Sequence, residues 1–432
     1  MWTACPLDRR SAPVRKNDGT RPVPILDPLA TGPIDISLRT HRLSPWTVAL
    51  SIAALTLLAL NLRTAVSSLS PVVTHIRTEL DLPSVLVGVI GMLPPLCFAL
   101  AGVLAPLIAR YLSLETTILL GLVLITAGSV LRAAAPASWA IIVGTAVALF
   151  AMGVANVLLP AIVKDRFPDH VGLISAVYVT LLAVSAFLPP LIAVPLADGP
   201  GWRISLGVWA ALALVAVLPW LGLLPSRSRP RRIRRGHRVG RAPWRSRTAW
   251  AITGLFTLSS LNSYAVYAWL PQILVELKGL DPTSASLQLS LFAALGIPLG
   301  LLTPLVATRR GFVRPAAFLA IASLLVGYPL LVFGPVELVP VAVCTFGLVQ
   351  LLFSLGLTLV GMRSASAEEA ASLSGFMQGV GYLVAASGPL LLGVLNAATD
   401  SWLPGLVFLT CTAFLAIPAA ILIDRPDPEP AD

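Results

Sequence analysis

Residues 46–64 read Trp46-Thr47-Val48-Ala49-Leu50-Ser51-Ile52-Ala53-Ala54-Leu55-Thr56-Leu57-Leu58-Ala59-Leu60-Asn61-Leu62-Arg63-Thr64, and the apolar stretch they open runs on to residue 74. A helix crosses a bilayer with about 20 mainly apolar residues, so this run is a membrane span. Its single charge is the informative exception. A cation in hydrocarbon costs about 3 kcal/mol on insertion scales, and ~10 or more in simulations of isolated helices. Such a residue persists where it faces a protein-lined or watery cavity and has something to bind. At a rise of 1.5 Å per residue, Arg63 lies about 26 Å from Trp46, near or somewhat beyond the middle of the span. A snorkelling arginine whose head reaches the outer interface is the plainer alternative. The apolar run continuing outward past Ser70 speaks against it.

The rest of the chain is built the same way. Of 432 residues, 56% are hydrophobic and 12% charged, with a mean hydropathy of +0.87. Soluble domains carry about 25% charged residues, so this chain cannot cover itself with a polar surface. The expected fold is all-α and polytopic, with spans at 46–74, 83–109, 115–134, 138–163, 171–196, 203–224, 249–276, 284–307, 315–333, 337–361, 370–393 and 399–423. By this reading Arg63 is the only charged side chain set deep in any of the twelve. The chain divides into a tail (1–44), a first half (45–224), an Arg-rich linker (225–248), a second half (249–423) and a short tail (424–432).

The net charge of +10 invites a nucleic-acid reading, but its distribution excludes one. Ten arginines lie between Arg227 and Arg247, and a second basic group precedes Trp46. Arg110, Lys164, Arg166, Arg309, Arg310, Arg314 and Arg363 fall in loops on that same side. Little beyond Arg77, Arg132, Arg203 and Lys278 falls on the other. Basic loops mark the cytoplasmic side, so both termini are expected there, in a bacterial inner membrane. Residues 1–44 lack the apolar core of a secretory signal, which suggests a disordered cytoplasmic tail or a start codon assigned too early. The arginine run could bind anionic lipid headgroups, but an orientation-setting linker is the simpler reading. Cys5, Cys97, Cys344 and Cys411 show no CxxC spacing and read as small buried hydrophobes. No phosphate-binding Gly loop appears, so no nucleotide, metal or other cofactor is expected, and no enzyme activity.

The halves repeat at an offset of about 200 residues. Leu104-Ala105-Pro106-Leu107-Ile108-Ala109-Arg110 answers Leu302-Thr303-Pro304-Leu305-Val306-Ala307-Thr308-Arg309. Asp81 answers Asp281, Lys164 answers Arg363, Ser175 and Pro190 answer Ser374 and Pro389, and Leu60-Asn61 answers Leu261-Asn262. Two parallel six-helix halves related by a pseudo-two-fold, joined by a long loop, are the arrangement of major facilitator transporters.

Alternating access requires a site near the midplane between the halves. Arg63 is the first candidate. Asn61, Asn156, Tyr178, Asn262, Tyr264, Gln288 and Gln378 complete the expected substrate-binding set, with Tyr267 and Gln350 close behind. Each taken singly also fits an interhelical hydrogen-bonding role. Tyr264 falls near the repeat position of Arg63. All twenty acidic residues lie in tails, loops or helix ends, so the guanidinium lacks an embedded acid. An anionic or strongly accepting solute would complete its shell through the bidentate fork. The same lack removes the usual intramembrane proton site, which leaves proton symport, uniport and exchange all open. Gly375 and Gly379 on the eleventh span read as a close-packing motif, or as a flexing gate with Gly388-Pro389.

These residues also carry a resemblance. Asn61-Leu62-Arg63-Thr64-Ala65 resembles an Asn-Leu-Arg-Pro-Ala signature, with Thr64 in place of the usual Pro. Asn156-Val157-Leu158-Leu159-Pro160-Ala161-Ile162-Val163-Lys164, Gly201-Trp202-Arg203, Ala268-Trp269-Leu270-Pro271 and the stretch from Gly361-Met362-Arg363 through Gly388-Pro389 extend it over residues 46–423. Together they are similar to the cyanate/2-nitroimidazole transporter family of the major facilitator superfamily. The resemblance implies a secondary transporter of small polar or anionic solutes, acting as a monomer in the bilayer. The superfamily's acidic loop between helices 2 and 3 is degenerate here, as Ala109-Arg110-Tyr111-Leu112-Ser113 contains no Asp. Two other readings stay open: a broad drug-efflux transporter whose apolar cavity dominates, and a transport-inactive membrane sensor or scaffold.

Overall fold

The computed structural model describes residues 45–167, 170–224, 243–307, 311–363 and 367–423. The two expected tails and most of the Arg-rich linker lie outside the described residues, as do Arg309 and Arg310. Among the described residues all regular structure is helical. The spans are α1 (Pro45–Asn61, continued by Thr64–Ser67), α2 (Ser84–Tyr111), α3 (Leu114–Ala133), α4 (Ser138–Arg166), α5 (Val171–Asp198) and α6 (Trp202–Leu223). The second half holds α7 (Arg247–Lys278), α8 (Pro282–Ala307), α9 (Val313–Phe333), α10 (Val339–Gly347 and Gln350–Arg363), α11 (Ala367–Ala385 and Ser387–Thr399) and α12 (Leu403–Leu415 and Ile417–Leu422).

Eleven of these are long and apolar enough to cross a membrane by composition alone. The twelfth, α7, has 32 residues and is the polar one, with Asn262, Tyr264, Tyr267, Gln272 and Glu276 along it. Twelve transmembrane helices in two six-helix halves are therefore present, as the sequence predicts. The difference lies in continuity. The first span is read as one helix over 46–74, but it breaks after Asn61. The eleventh and twelfth spans break at Ala386 and Ala416, three and two residues before a proline (Pro389 and Pro418) that lacks a backbone donor.

Small residues and paired asparagines hold each half together, and they do so at repeat positions. A Cβ on Gly128 of α3 would lie 2.6 Å from the Gly144 carbonyl of α4, and one on Gly327 of α9 would lie 2.6 Å from the Phe346 backbone nitrogen of α10. Asn61 donates to the Leu57 carbonyl at 2.8 Å and to the Leu212 carbonyl of α6, 151 residues away. Asn262 donates to the Leu258 carbonyl at 2.9 Å and to the Thr412 hydroxyl of α12, 150 residues away. The same device at the same place in both halves is the structural form of the sequence repeat.

Between the halves, α2 runs along α11 and α5 along α8. One face of the bundle, bearing the connections at 78–83, 199–201, 279–281 and 400–402, is closed. There a Cβ on Gly88 would sit 3.2 Å from the Pro389 carbonyl, and one on Gly91 would sit 2.7 Å from Ala268 Cβ and 2.9 Å from Pro389 Cβ. Ser290 of α8 donates to the Phe187 carbonyl of α5 at 3.2 Å, and Ser286 donates to the Pro190 carbonyl. Arg77 and Glu276 add opposite charges from the two halves on this face; burial lowers the Arg77 guanidinium's pKa and Glu276 opposes that shift. Toward the other face, where α1 starts and α12 ends, the contact fades. Gly102 lies one turn beyond Phe98 on α2, and Gly379 and Gly375 lie one and two turns before Tyr382 on α11. Among the described residues, nothing approaches within 4 Å of where a Cβ would stand at any of the three. The GxxxG at 375–379 thus makes no close helix contact in this conformation.

Candidate functional site

The site begins with the break in α1. The Asn61 amide takes the Leu57 carbonyl, competing with the backbone ladder as short polar side chains do. Leu62 N–H turns back to the Ala59 carbonyl at 3.2 Å. Arg63 then becomes the N-cap of the Thr64–Ser67 turn, with φ −128° and ψ −5°. Thr64 occupies the first helical position, where proline is favoured because its missing N–H is not needed. Its hydroxyl donates to the Asn61 carbonyl at 3.0 Å, so the replacement of the signature's Pro keeps the turn by another route.

The break points Arg63 across the bundle. Arg63 Nη1 donates to the Tyr264 hydroxyl of α7 at 3.2 Å, 201 residues away. Its guanidinium lies 5.2 Å from the centre of the Phe98 ring of α2, within cation–π range. Tyr382 of α11 completes an aromatic layer, 6.0 Å from the rings of both Phe98 and Tyr264 and 5.1 Å from Phe256. Tyr267 also lies within electrostatic reach of the guanidinium. Among the described residues, the carboxylates that form ion pairs (Glu79, Glu115 and Asp198) pair elsewhere. Arg63 itself is half-buried, in contrast to the closed packing around Asn61.

Not every candidate gathers here. Asn61 and Asn262 are fully buried inside their own halves, and Asn262 also accepts from the Tyr328 hydroxyl at 3.0 Å. Gln350 donates to the Phe292 carbonyl at 2.7 Å, tying α10 to α8. Gln378 donates to Ser374 on its own helix at 2.8 Å and is half-buried on the open side of Tyr382. Asn156 and Tyr178 are half-buried on α4 and α5. Gln288 on α8 keeps a buried Oε1 with no partner among the described residues. Arg63 and Tyr264 are joined by a direct bond across the halves.

Sequence reasoning passed over three features. Phe98 carries no polar group to mark its depth, whereas the Tyr382 hydroxyl, in the middle of the eleventh span, is a signal of the same kind as that of Tyr264. Arg132, two residues from the end of the expected third span at 115–134, counts there only as one of the few basic residues on the outer side. In the structure it is 2% exposed; Nη2 donates to Ser68 Oγ at 3.2 Å, Nη1 reaches the Ala65 carbonyl at 3.5 Å, and Nε has no partner among the described residues. Arg63 is therefore not the only arginine enclosed by the bundle. The acidic residues keep to helix ends as expected, although Glu115 at the start of α3 is buried against Arg166 at 2.7 Å.

Other signature residues prove structural. Gly201 has φ +99°, a left-handed turn that favours glycine, and the Arg203 guanidinium lies 4.2 Å from the Trp202 ring centre. At the outer end of α6, Arg203 also donates to Glu79 in the 78–83 connection, holding that carboxyl below its ordinary range. Trp269 donates to the Pro389 carbonyl at 2.8 Å. A Cβ on Gly388 would stand 2.7 Å from the Leu261 carbonyl, which explains why α11 approaches α7 there.

Twelve spans in two repeats, closed together at one face and meeting at a polar centre between the halves, define a non-enzymatic membrane transporter. The Major Facilitator Superfamily profile matches residues 52–389, and the chain belongs to that superfamily. It is 35% identical over 365 residues to the uncharacterized transporter YycB of Bacillus subtilis, covering 83% of this chain and 89% of that protein. It is 34% identical over 357 residues to the 2-nitroimidazole transporter of Escherichia coli, covering 81% and 89%. With the cyanate transport protein CynX of Escherichia coli the identity is 26% over 356 residues, covering 81% and 90%. The fold matches the crystal structure of a D-xylose-proton symporter with a TM-score of 0.71 at 13% identity, over 88% of this chain and 98% of that one.

Proposed function

We propose that the chain carries a small anionic or strongly accepting solute, cyanate-like or nitro-heterocycle-like, by alternating access around Arg63. The observation that carries this reading is the Arg63–Tyr264 bond. It joins positions 201 residues apart, near the repeat offset, and so lies close to the pseudo-two-fold axis between the halves. A guanidinium there set among phenols and the Phe98 ring, with no ion-paired carboxylate of its own among the described residues, retains donors for an anion. The names of the two Escherichia coli relatives, one carrying cyanate and one 2-nitroimidazole, fit the same chemistry. By the distribution of basic loops, both termini face the cytoplasm of a bacterial inner membrane, and the conformation described is open toward that side. A single chain is the working unit. A proton, if coupled, travels with the solute or through loop groups.

Arg63→Ala and Arg63→Lys, reconstituted in proteoliposomes, test the reading. Both should reduce counterflow of the transported anion at least about tenfold, because Lys cannot reproduce the planar fork. Wild-type rates in both variants would sink the reading. The rings of Phe98, Phe256 and Tyr382 favour a second one, efflux of flat apolar drugs. Growth protection against hydrophobic cations, but not against nitro-heterocycles, would select that alternative.

A further inference from the structure

Beyond Arg63, toward the closed face, lies a small chamber lined by Ser70 of the short 3-10 turn Ser70–Val72, Gly91 and Pro94 of α2, Thr145 of α4, and Tyr264 and Tyr267 of α7. Most of its wall is apolar, but Ser70 Oγ and Thr145 Oγ1 are buried and have no hydrogen-bond partner among the described residues. A buried hydroxyl without a partner forfeits the hydrogen bonds it would make to water, so two at one chamber call for a shared ligand. Tyr264 belongs both to this wall and to the shell of Arg63. The chamber therefore continues the Arg63 site on the side away from the opening. Its room suits a water molecule or the end of a short linear group, not a ring.

We propose that this chamber is a subsite for the far end of the solute, with Thr145 and Ser70 donating to a short anion whose near end rests on Arg63. This rests on the reading of Arg63 as the solute's ligand. The two hydroxyls would then set solute length, while the arginine sets charge. A short anion reaching past Arg63 satisfies both hydroxyls, whereas a bulky planar anion stops at the aromatic layer of Phe98 and Tyr382.

The test uses the full-length protein in proteoliposomes, with formate, cyanate and thiocyanate as short probes and benzoate as the bulky one. Thr145→Val keeps the shape and removes a hydroxyl; Ser70→Ala is its partner. Each should weaken binding of at least one short probe about fivefold to tenfold and leave benzoate within about twofold, so that their affinity ratio shifts. An unchanged ratio in both variants, whatever the change in thermal stability, would assign the hydroxyls to packing or to a fixed water and overturn the proposal. So would failure of all three short probes to bind folded wild-type protein. Arg63→Gln, run in parallel, separates the two readings. If it abolishes binding while the ratio stays fixed in the hydroxyl variants, only the subsite fails. If it leaves every probe unaffected, the reading of Arg63 fails first.

Discussion

Arg63 and Arg132 are both enclosed cations, yet only one was legible as such. Arg63 announces itself by position, far from either end of an apolar run. Arg132 lies one residue from a helix end, where arginines ordinarily reach water. It is buried because the break in α1 presents the Ala65 carbonyl and the Ser68 hydroxyl to it. That partner surface exists only after the break forms, so no local pattern could reveal it. In the last turn of α3, Arg132 also sits at the negative end of a helix dipole, which stabilises a cation without an acid. These bonds tie the Thr64–Ser67 turn, which follows Arg63, to α3. Arg132→Gln should lower stability by about 1–3 kcal/mol, measured by thermal unfolding in detergent, since it weakens the tie to Ser68 inside a dry interior. It should also reduce maximal transport more than it raises KM. Arg132→Lys should recover part of both. If Arg132→Gln loses stability while keeping wild-type transport, the turn needs no such support.

At the scale of elements, the twelve spans were readable because apolar length is a nearly sufficient signal in a bilayer, where every backbone group must be satisfied within a helix. Even α7, too polar to pass the stricter measure of length and composition, falls on the apolar run expected at 249–276. Breaks were less readable. Those in α11 and α12 fall beside prolines, whereas the one in α1 depends on an asparagine competing for a carbonyl four residues back. The interface between α2 and α11 carries its own prediction. Gly91 stands where a Cβ would meet Ala268 and Pro389, both below 3.0 Å. Gly91→Val therefore cannot fit the closed face without moving α2. It should shift the population toward the state opened on that face, with longer distances between spin labels placed on the outer ends of α2 and α11. Transport should fall as well. Unchanged distances with normal transport would mean that α2 yields locally and that this contact does not set the conformational balance.

Across the whole molecule, the pseudo-two-fold explains why one bond can be central. Asn61 and Asn262 are repeat mates that stay apart, each tying its own half together. Arg63 and Tyr264, by contrast, occupy near-equivalent positions and touch each other, which happens only near the axis relating the halves. A group on that axis is nearly equidistant from both halves, so it can hold a solute while the halves rock around it. If position on the axis matters more than which half supplies the charge, the exchange Arg63→Tyr with Tyr264→Arg should restore what each single change removes. Each single variant should lose solute-dependent thermal stabilisation, Arg63→Tyr by removing the cation and Tyr264→Arg by setting two cations against each other. The double variant should regain stabilisation by the transported anion to within about tenfold of the wild-type affinity, a gap of about 1.4 kcal/mol. That recovery is a coupling between neighbouring positions, and a double-mutant cycle measures it directly. If the double variant is folded but as unresponsive as the singles, the asymmetric setting of Arg63 beside Phe98 of α2, rather than its place on the axis, governs recognition.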